Sequence, residues 1–195
     1  MNQTIDLLTS HRSIRKFTDE PVDPDLFTTL VEAAQASASS SFLQGVTIIR
    51  VTDPGKRVAL RDVAGGQAYV ETAPEFLVFC ADLSRPMRCC RQHGGTPAEG
   101  LTEQFVIATV DAALYAQNLV IAAESTGLGI CYIGALRNDP AKVTKLLDLP
   151  QQVYPVFGLC LGHPAQDPEV KPRLPVSVTL KTDSYNTDGE DEAIA

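Results

Sequence analysis

Leu101–Thr126 reads LTEQFVIATVDAALYAQNLVIAAEST, a run without proline or glycine. Leu101, Phe105, Ala108, Ala112, Tyr115, Leu119 and Ala122 recur in steps of four and three, the spacing of one helical face. Val106, Ile107, Val110, Leu114, Val120 and Ile121 make most of the remaining circumference apolar as well. A helix that is apolar nearly all round is buried on more than one side. In a chain of 195 residues, two partners for one helix mean a sheet on one side and a second subunit on the other. A single core helix in a monomer stays open as the alternative, because periodicity does not name the partner.

Outward from this helix, strands and helices alternate. On the N-terminal side, Thr4 is read as the cap of a short helix through Leu7 and Leu8, and Asp23-Pro24 caps and opens a helix over PDLFTTLVEAAQA. Ser37–Ser41 end that helix in a polar loop. GVTIIRV reads as a strand, Pro54–Val63 as a helix and FLVFCAD as a buried strand. Residues 84–100, with three glycines and two prolines, read as an exposed excursion. On the C-terminal side come the strand ICYIG, a helix opened by Asp139-Pro140 and the strand VYPVFGLCLG. KPRLPVSVTL is read as an edge strand or an arm, since its prolines remove ladder donors. The pattern predicts an α+β sandwich, helices packed on a mixed, mainly antiparallel sheet, as one domain over residues 1–182. Residues 183–195 read as an acidic, disordered tail.

Composition narrows the function. Sixteen Lys and Arg against 24 Asp and Glu give a net charge of −8, which argues against nucleic acid as a partner. No run approaches the ~18 consecutive apolar residues of a membrane span, and MNQTIDLLTSHRS lacks the apolar core of a secretory signal, so the expected location is cytoplasmic. Cys80, Cys131 and Cys160 lie in apolar runs as small core residues. Cys89, Cys90 and His93 are clustered, but adjacent cysteines rarely share a tetrahedral metal and no second ligand pair completes the set; no metal is expected. P-loop, Rossmann and nucleophile-elbow patterns are absent, since Gly127-Leu128-Gly129 precedes a strand.

What stands out is the clustering of cations. His11-Arg12-Ser13-Ile14-Arg15-Lys16 sets three full positive charges, a histidine and a hydroxyl in six residues, with Ile14 as an apolar anchor. Lys171-Pro172-Arg173 is a second basic pair far along the chain. Such groups hold phosphate by charge-assisted hydrogen bonds. Either patch alone reads equally well as a solvated surface.

Taken together, HRSIRKFTDEPV, SASSSFLQ, GGQ, the FCAD strand, DAALYAQNLVIAAES, GLGICYIGALRN, VTKLLDLP and FGLCLGHPAQDPEVKPRLP resemble the nitroreductase family. The closest subgroup comprises oxygen-insensitive NADPH nitroreductases and flavin reductases. The similarity runs from about Thr4 to Tyr185 in unbroken order. It implies a three-layer, intertwined homodimer with tightly bound FMN at the subunit interface and NADPH or NADH as electron donor. It places His11, Arg12 and Ser13 in the flavin-binding segment, with His11 and Ser13 on the FMN phosphate, and Arg15 near the N1/O2 edge of the ring. Lys171 and Arg173 match a second phosphate clamp. Ser39 and Ser40 match residues reaching the flavin of the other subunit, with Ser41 and Phe42 bordering the substrate. Gln67 matches the amide at the pyrimidine edge. Tyr132, Ile133, Gly134 and Ala135 match the strand end near N5 and O4, Ala135 replacing a second glycine.

The implied reaction is two-electron, ping-pong hydride transfer from coenzyme to a nitroaromatic, quinone or free flavin. It demands no catalytic side-chain acid or base, because the cofactor supplies the chemistry. An FMN-binding or flavin-carrier protein with weak turnover remains a second reading, and an acidic interaction domain a third. The subgroup continues in a basic C-terminal extension where this sequence reads GEDEAIA. The chain is therefore expected to be either naturally short or truncated, and to discriminate weakly between NADPH and NADH.

Overall fold

The computed structural model describes residues 2–194. Asn2, two residues earlier than the expected Thr4, caps helix α1 (Gln3–Thr9), its Oδ1 accepting from the Ile5 N–H at 3.0 Å. Asp23 caps α2 (Pro24–Gln35), with proline at the first helical position, where its missing N–H costs nothing. Strand β1 (Val46–Arg50), α3 (Pro54–Val63) and the one-turn helix α4 (Tyr69–Thr72) lead to β2 (Glu75–Asp82). Next come α5 (Ser84–Gln92), α6 (Thr102–Ser125) and β3 (Gly129–Ile133). The chain continues through α7 (Pro140–Leu146), β4 (Val153–Gly162) and two short helices, α8 (Val176–Thr179) and α9 (Glu190–Ile194).

The sheet has the order β1-β2-β4-β3, and every pairing is antiparallel. β2 is buried along its whole length and follows the two-residue period of a strand with both faces covered. Phe76, Val78 and Cys80 join a core with α3, α4 and α7. Leu77 and Phe79 face the opposite layer, where α2 and α6 pack. Helix, sheet and helix thus form three layers, as the alternation of elements requires. Pro155 is accommodated at a register shift opposite Phe79 and Cys80, where no ladder donor is needed.

Two expectations need correcting. Residues 84–92 form a helix and not an open excursion. The Asp82 carboxylate accepts from the Ser84 N–H at 2.9 Å and the Arg85 N–H at 3.3 Å, capping a helix whose proline, Pro86, falls in the first turn and is harmless there. Residues 171–180 make no strand; they run irregularly into the single turn of α8, leaving Leu174, Val176 and Leu180 exposed.

α6 lies across the sheet through Ala108, Ala112, Tyr115, Ala116, Leu119, Val120 and Ala123. Its small residues let it approach closely. The other face is bare: Val106, Val110 and Leu114 are 43–50% exposed, and Leu101 and Phe105, expected on the buried seam, are more than half exposed. Among the described residues, α6 is the one helix long and apolar enough by length and composition to cross a membrane, but it is laid on the sheet.

Candidate active site

The segment after α1 is extended and bound to the sheet. The Ile14 N–H donates to the Ile130 carbonyl at 2.8 Å, and the Ile14 side chain is 5% exposed. A Cβ on Gly129 would lie 2.6 Å from Ile14 Cγ1, so this close approach depends on glycine. With Ile14 inward, the two-residue period turns Ser13 and Arg15 outward. The Thr18 N–H then donates to the His163 carbonyl and the Ala165 N–H to the Lys16 carbonyl, both at 2.9 Å. Those bonds fasten the segment to the chain leaving β4, which continues to Lys171 and Arg173.

The result is a cavity of about 100 Å³ lined by His11, Arg12, Ser13 and Arg15 from one segment and Lys171 and Arg173 from the other, with Glu169 as its one carboxylate. The two basic clusters, separate in sequence, therefore meet. His11 Nδ1 is 2.6 Å from Glu124 Oε1 near the end of α6, which fixes the ring. Arg12 pairs with Asp167 and donates to the Ser10 carbonyl at 3.1 Å, while its buried Nε–H has no partner among the described residues. Arg and Lys offer donors only. The cavity is therefore rich in donors and positive charge, which suits an acceptor or an anion.

Arg15 connects this cavity to Gln67. The Tyr69 hydroxyl donates to Gln67 Oε1 at 2.8 Å, and the Arg15 guanidinium faces the same hydroxyl. Burial raises the Tyr69 pKa above its ordinary value although Arg15 pulls it down, so the phenol stays neutral. Tyr69 also meets Cys131 of β3, one residue before the stretch Tyr132–Ala135. Tyr132 sends its ring to the α6 layer, edge-on to Phe157 at 5.2 Å, with burial pushing the phenol up to about 12. Ile133 is buried in the opposite core. These two residues, with Gly134, can offer a ligand chiefly backbone. Ala135 packs at the edge of the core that holds α3, its methyl half-buried.

Ser39, Ser40, Ser41 and Phe42 lie elsewhere. The buried Asp111 of α6 accepts from Ser39 Oγ at 2.6 Å, the Ser40 N–H at 3.0 Å and the Gly45 N–H at 3.2 Å. Asp111 and Glu124 are 13 residues apart in α6, about 20 Å at 1.5 Å per residue. One chain thus holds its serine loop at the middle of α6 and its cationic cavity near the C-terminal end of the same helix. The loop is strained: Ser41, Phe42 and Gln44 have φ of 49°, 56° and 51°, which L side chains rarely adopt, and Phe42 is 78% exposed.

Four residues here were missed from sequence: Tyr69, Asp111, Glu124 and Asp167. Asp111 carried a usable signal, a charge among apolar residues inside a helix. The others become visible only when distant segments are brought together. Cys89 and His93 interact at the C-terminal end of α5, where His93 Nδ1 lies 2.9 Å from the Cys89 carbonyl.

The fold is a three-layer α+β sandwich, and its donor-rich cavity has the chemistry to suit an anionic, phosphate-bearing organic group. The chain belongs to the nitroreductase family, whose profile matches residues 8–163. It is 48% identical over 193 residues to the FMN reductase (NADPH) of Bacillus subtilis, covering 98% of this chain and 78% of that protein. It is 49% identical over 185 residues to the oxygen-insensitive NADPH nitroreductase of Salmonella typhimurium, covering 95% and 75%. The solved NADPH:FMN oxidoreductase from Vibrio harveyi, complexed with NAD+, superposes with a TM-score of 0.92 at 47% identity, covering 98% of this chain and 83% of that one.

Proposed function

We propose that this chain is an FMN-dependent NAD(P)H oxidoreductase that reduces nitroaromatics, quinones or free flavin. It works as a cytoplasmic homodimer, with one domain over residues 1–182 and residues 183–195 as a tail. The observation that carries the reading is the convergence of His11, Arg12, Ser13 and Arg15 with Lys171 and Arg173 on one cavity. This donor set fits FMN. Lys171, Arg173, His11 and Ser13 would hold the phosphate, and the unpartnered Arg12 Nε–H is a buried donor that costs ~1–3 kcal/mol until an acceptor arrives. Arg15 and Gln67, linked through Tyr69, would take the pyrimidine edge, with the backbone of Tyr132–Ala135 beside them. The names of the Bacillus and Salmonella relatives support the same cofactor and NADPH as donor.

Bound FMN would carry two electrons from a nicotinamide to the acceptor, chemistry that no side chain here can perform. The residues bind and orient. Arg15 sets a positive charge where negative charge develops on reduction, and Gln67 fixes the ring in its plane. Glu124 keeps His11 turned toward the cavity.

Two observations support the homodimer. The bare apolar face of α6 needs a partner, and Ser39–Phe42 lie ~20 Å along α6 from the cavity they are expected to serve. A two-fold pairing through α6 would carry the serine loop of one subunit to the cationic cavity of the other, completing two equivalent sites. Five free cysteines agree with a reducing compartment.

A visible spectrum of the purified protein tests this. Flavin absorbance that is retained on gel filtration, or restored by FMN, and that bleaches anaerobically with NADPH or NADH is the expected result. A folded protein that neither carries nor takes up FMN overturns the reading.

A further inference from the structure

We propose that Tyr69 is a positioning residue that fixes Gln67 as a hydrogen-bond donor to the bound flavin, an inference that rests on the functional reading above. An amide side chain can present either end, and its neighbours decide which. Here the Tyr69 hydroxyl donates to Gln67 Oε1 at 2.8 Å, which occupies the oxygen and leaves the NH2 group as the free end. The Arg15 guanidinium lies near the same hydroxyl, so guanidinium, phenol and amide form one cluster in which the phenol is bonded to the amide.

The platform beneath Tyr69 is rigid. Arg57 donates from Nε to the Val70 carbonyl at 3.2 Å and from Nη2 to the Ala73 carbonyl at 2.5 Å, pinning the turn of α4 on which Tyr69 sits. Cys160 Sγ lies 3.3 Å from the Tyr69 carbonyl, and the ring packs at the edge of the core. Burial keeps the phenol protonated, so it remains a donor to Gln67 at any ordinary working pH. Tyr69 thus links the charge at Arg15 to the amide at Gln67, the two groups that would meet the pyrimidine edge.

The test is a double-mutant cycle between Tyr69→Phe and Gln67→Ala. Apoprotein is titrated with FMN by flavin fluorescence, and the midpoint potential of each reconstituted variant is measured. Tyr69→Phe keeps the ring packing and is expected to weaken FMN binding about three- to tenfold, the effect of one neutral hydrogen bond, and to lower the midpoint potential. In the Gln67→Ala background, Tyr69→Phe is expected to have less effect on both quantities, because its main route of action is gone. Equal effects in both backgrounds, or no change in either quantity, overturn the proposal. A second measurement needs no Tyr69 variant: the Gln67 side-chain NH2 protons of the wild type should exchange with solvent more slowly once FMN binds, and unchanged exchange rejects the orientation. Failure of wild-type apoprotein to take up FMN would instead reject the functional reading.

Discussion

Lys171 and Arg15 line one cavity yet are expected to act on different quantities. Lys171 offers a compact charge suited to a phosphate, so Lys171→Ala should weaken FMN binding by ~1.5–3 kcal/mol, the range for a hydrogen bond to a charged group. Arg15 lies beside Tyr69, whose hydroxyl bonds Gln67, and is assigned to the ring rather than the phosphate. Arg15→Ala should leave most of the affinity intact, lower the flavin midpoint potential and slow anaerobic reduction by the coenzyme. Apoprotein titration and stopped-flow bleaching separate the two effects. If both variants bind FMN normally and turn over at the wild-type rate, the assignment of the site is wrong.

At the scale of elements, β2 and α5 are joined by a single carboxylate. Burial alone would raise the pKa of Asp82, but hydrogen bonds from Thr47 and Ser84 and the charge of Arg85 outweigh it, holding the group below its ordinary value. A depressed folded-state pKa means the contribution to stability is complete above the unfolded value near ~3.9 and fades as pH falls through the folded value below it. Thermal melts of Asp82→Asn should therefore show lower stability at neutral pH and a shallower loss of Tm on acidification than the wild type. Parallel curves for the two proteins would count against Asp82 as the acid-sensitive cap. α6 provides the second test at this scale. Val110→Asp puts a charge at the middle of its bare face, on a side chain that is half exposed in one chain. Sedimentation should then show monomer that retains its helical signal, whereas an unaltered dimer would move the interface away from α6.

At the scale of the molecule, the separation of loop and cavity makes a prediction about mixtures. Asp111→Asn turns an amide NH2 or a weakened acceptor toward three donors, Ser39 Oγ and the N–H groups of Ser40 and Gly45, and should release the serine loop. The Lys171→Ala, Arg173→Ala double variant damages the cavity instead. Neither should be active alone. After subunit exchange between equal amounts of the two, random pairing through a two-fold interface leaves roughly a quarter of the sites with both parts intact. Activity should recover to about that share. No recovery, with exchange verified by mass, would place both parts in one chain.

Periodicity and capping residues determined much by themselves. The spacing of Leu119, Tyr115, Ala112 and Ala108 marked a core helix, Asp23-Pro24 and Asp139-Pro140 opened helices where the structure has them, and the continuous apolar run in FLVFCAD matches a strand buried on both faces. These are local properties, set by neighbours a few residues away. Ile14 among the cations was likewise legible as an anchor, because one apolar residue in a charged run has few other uses. The helix over residues 84–92 was hidden because its cap, Asp82, belongs to the preceding strand. The cavity itself was not readable from spacing. Its two basic segments meet only because Lys16 and Thr18 bond to Ala165 and His163, and nothing local to either segment encodes that pairing. The same holds for Tyr69 between Arg15 and Gln67, and for the ~20 Å that separates the serine loop from the cavity it is expected to complete. Long-range contacts decide the site because folding brings distant charges together only where the backbone between them has already found its hydrogen bonds.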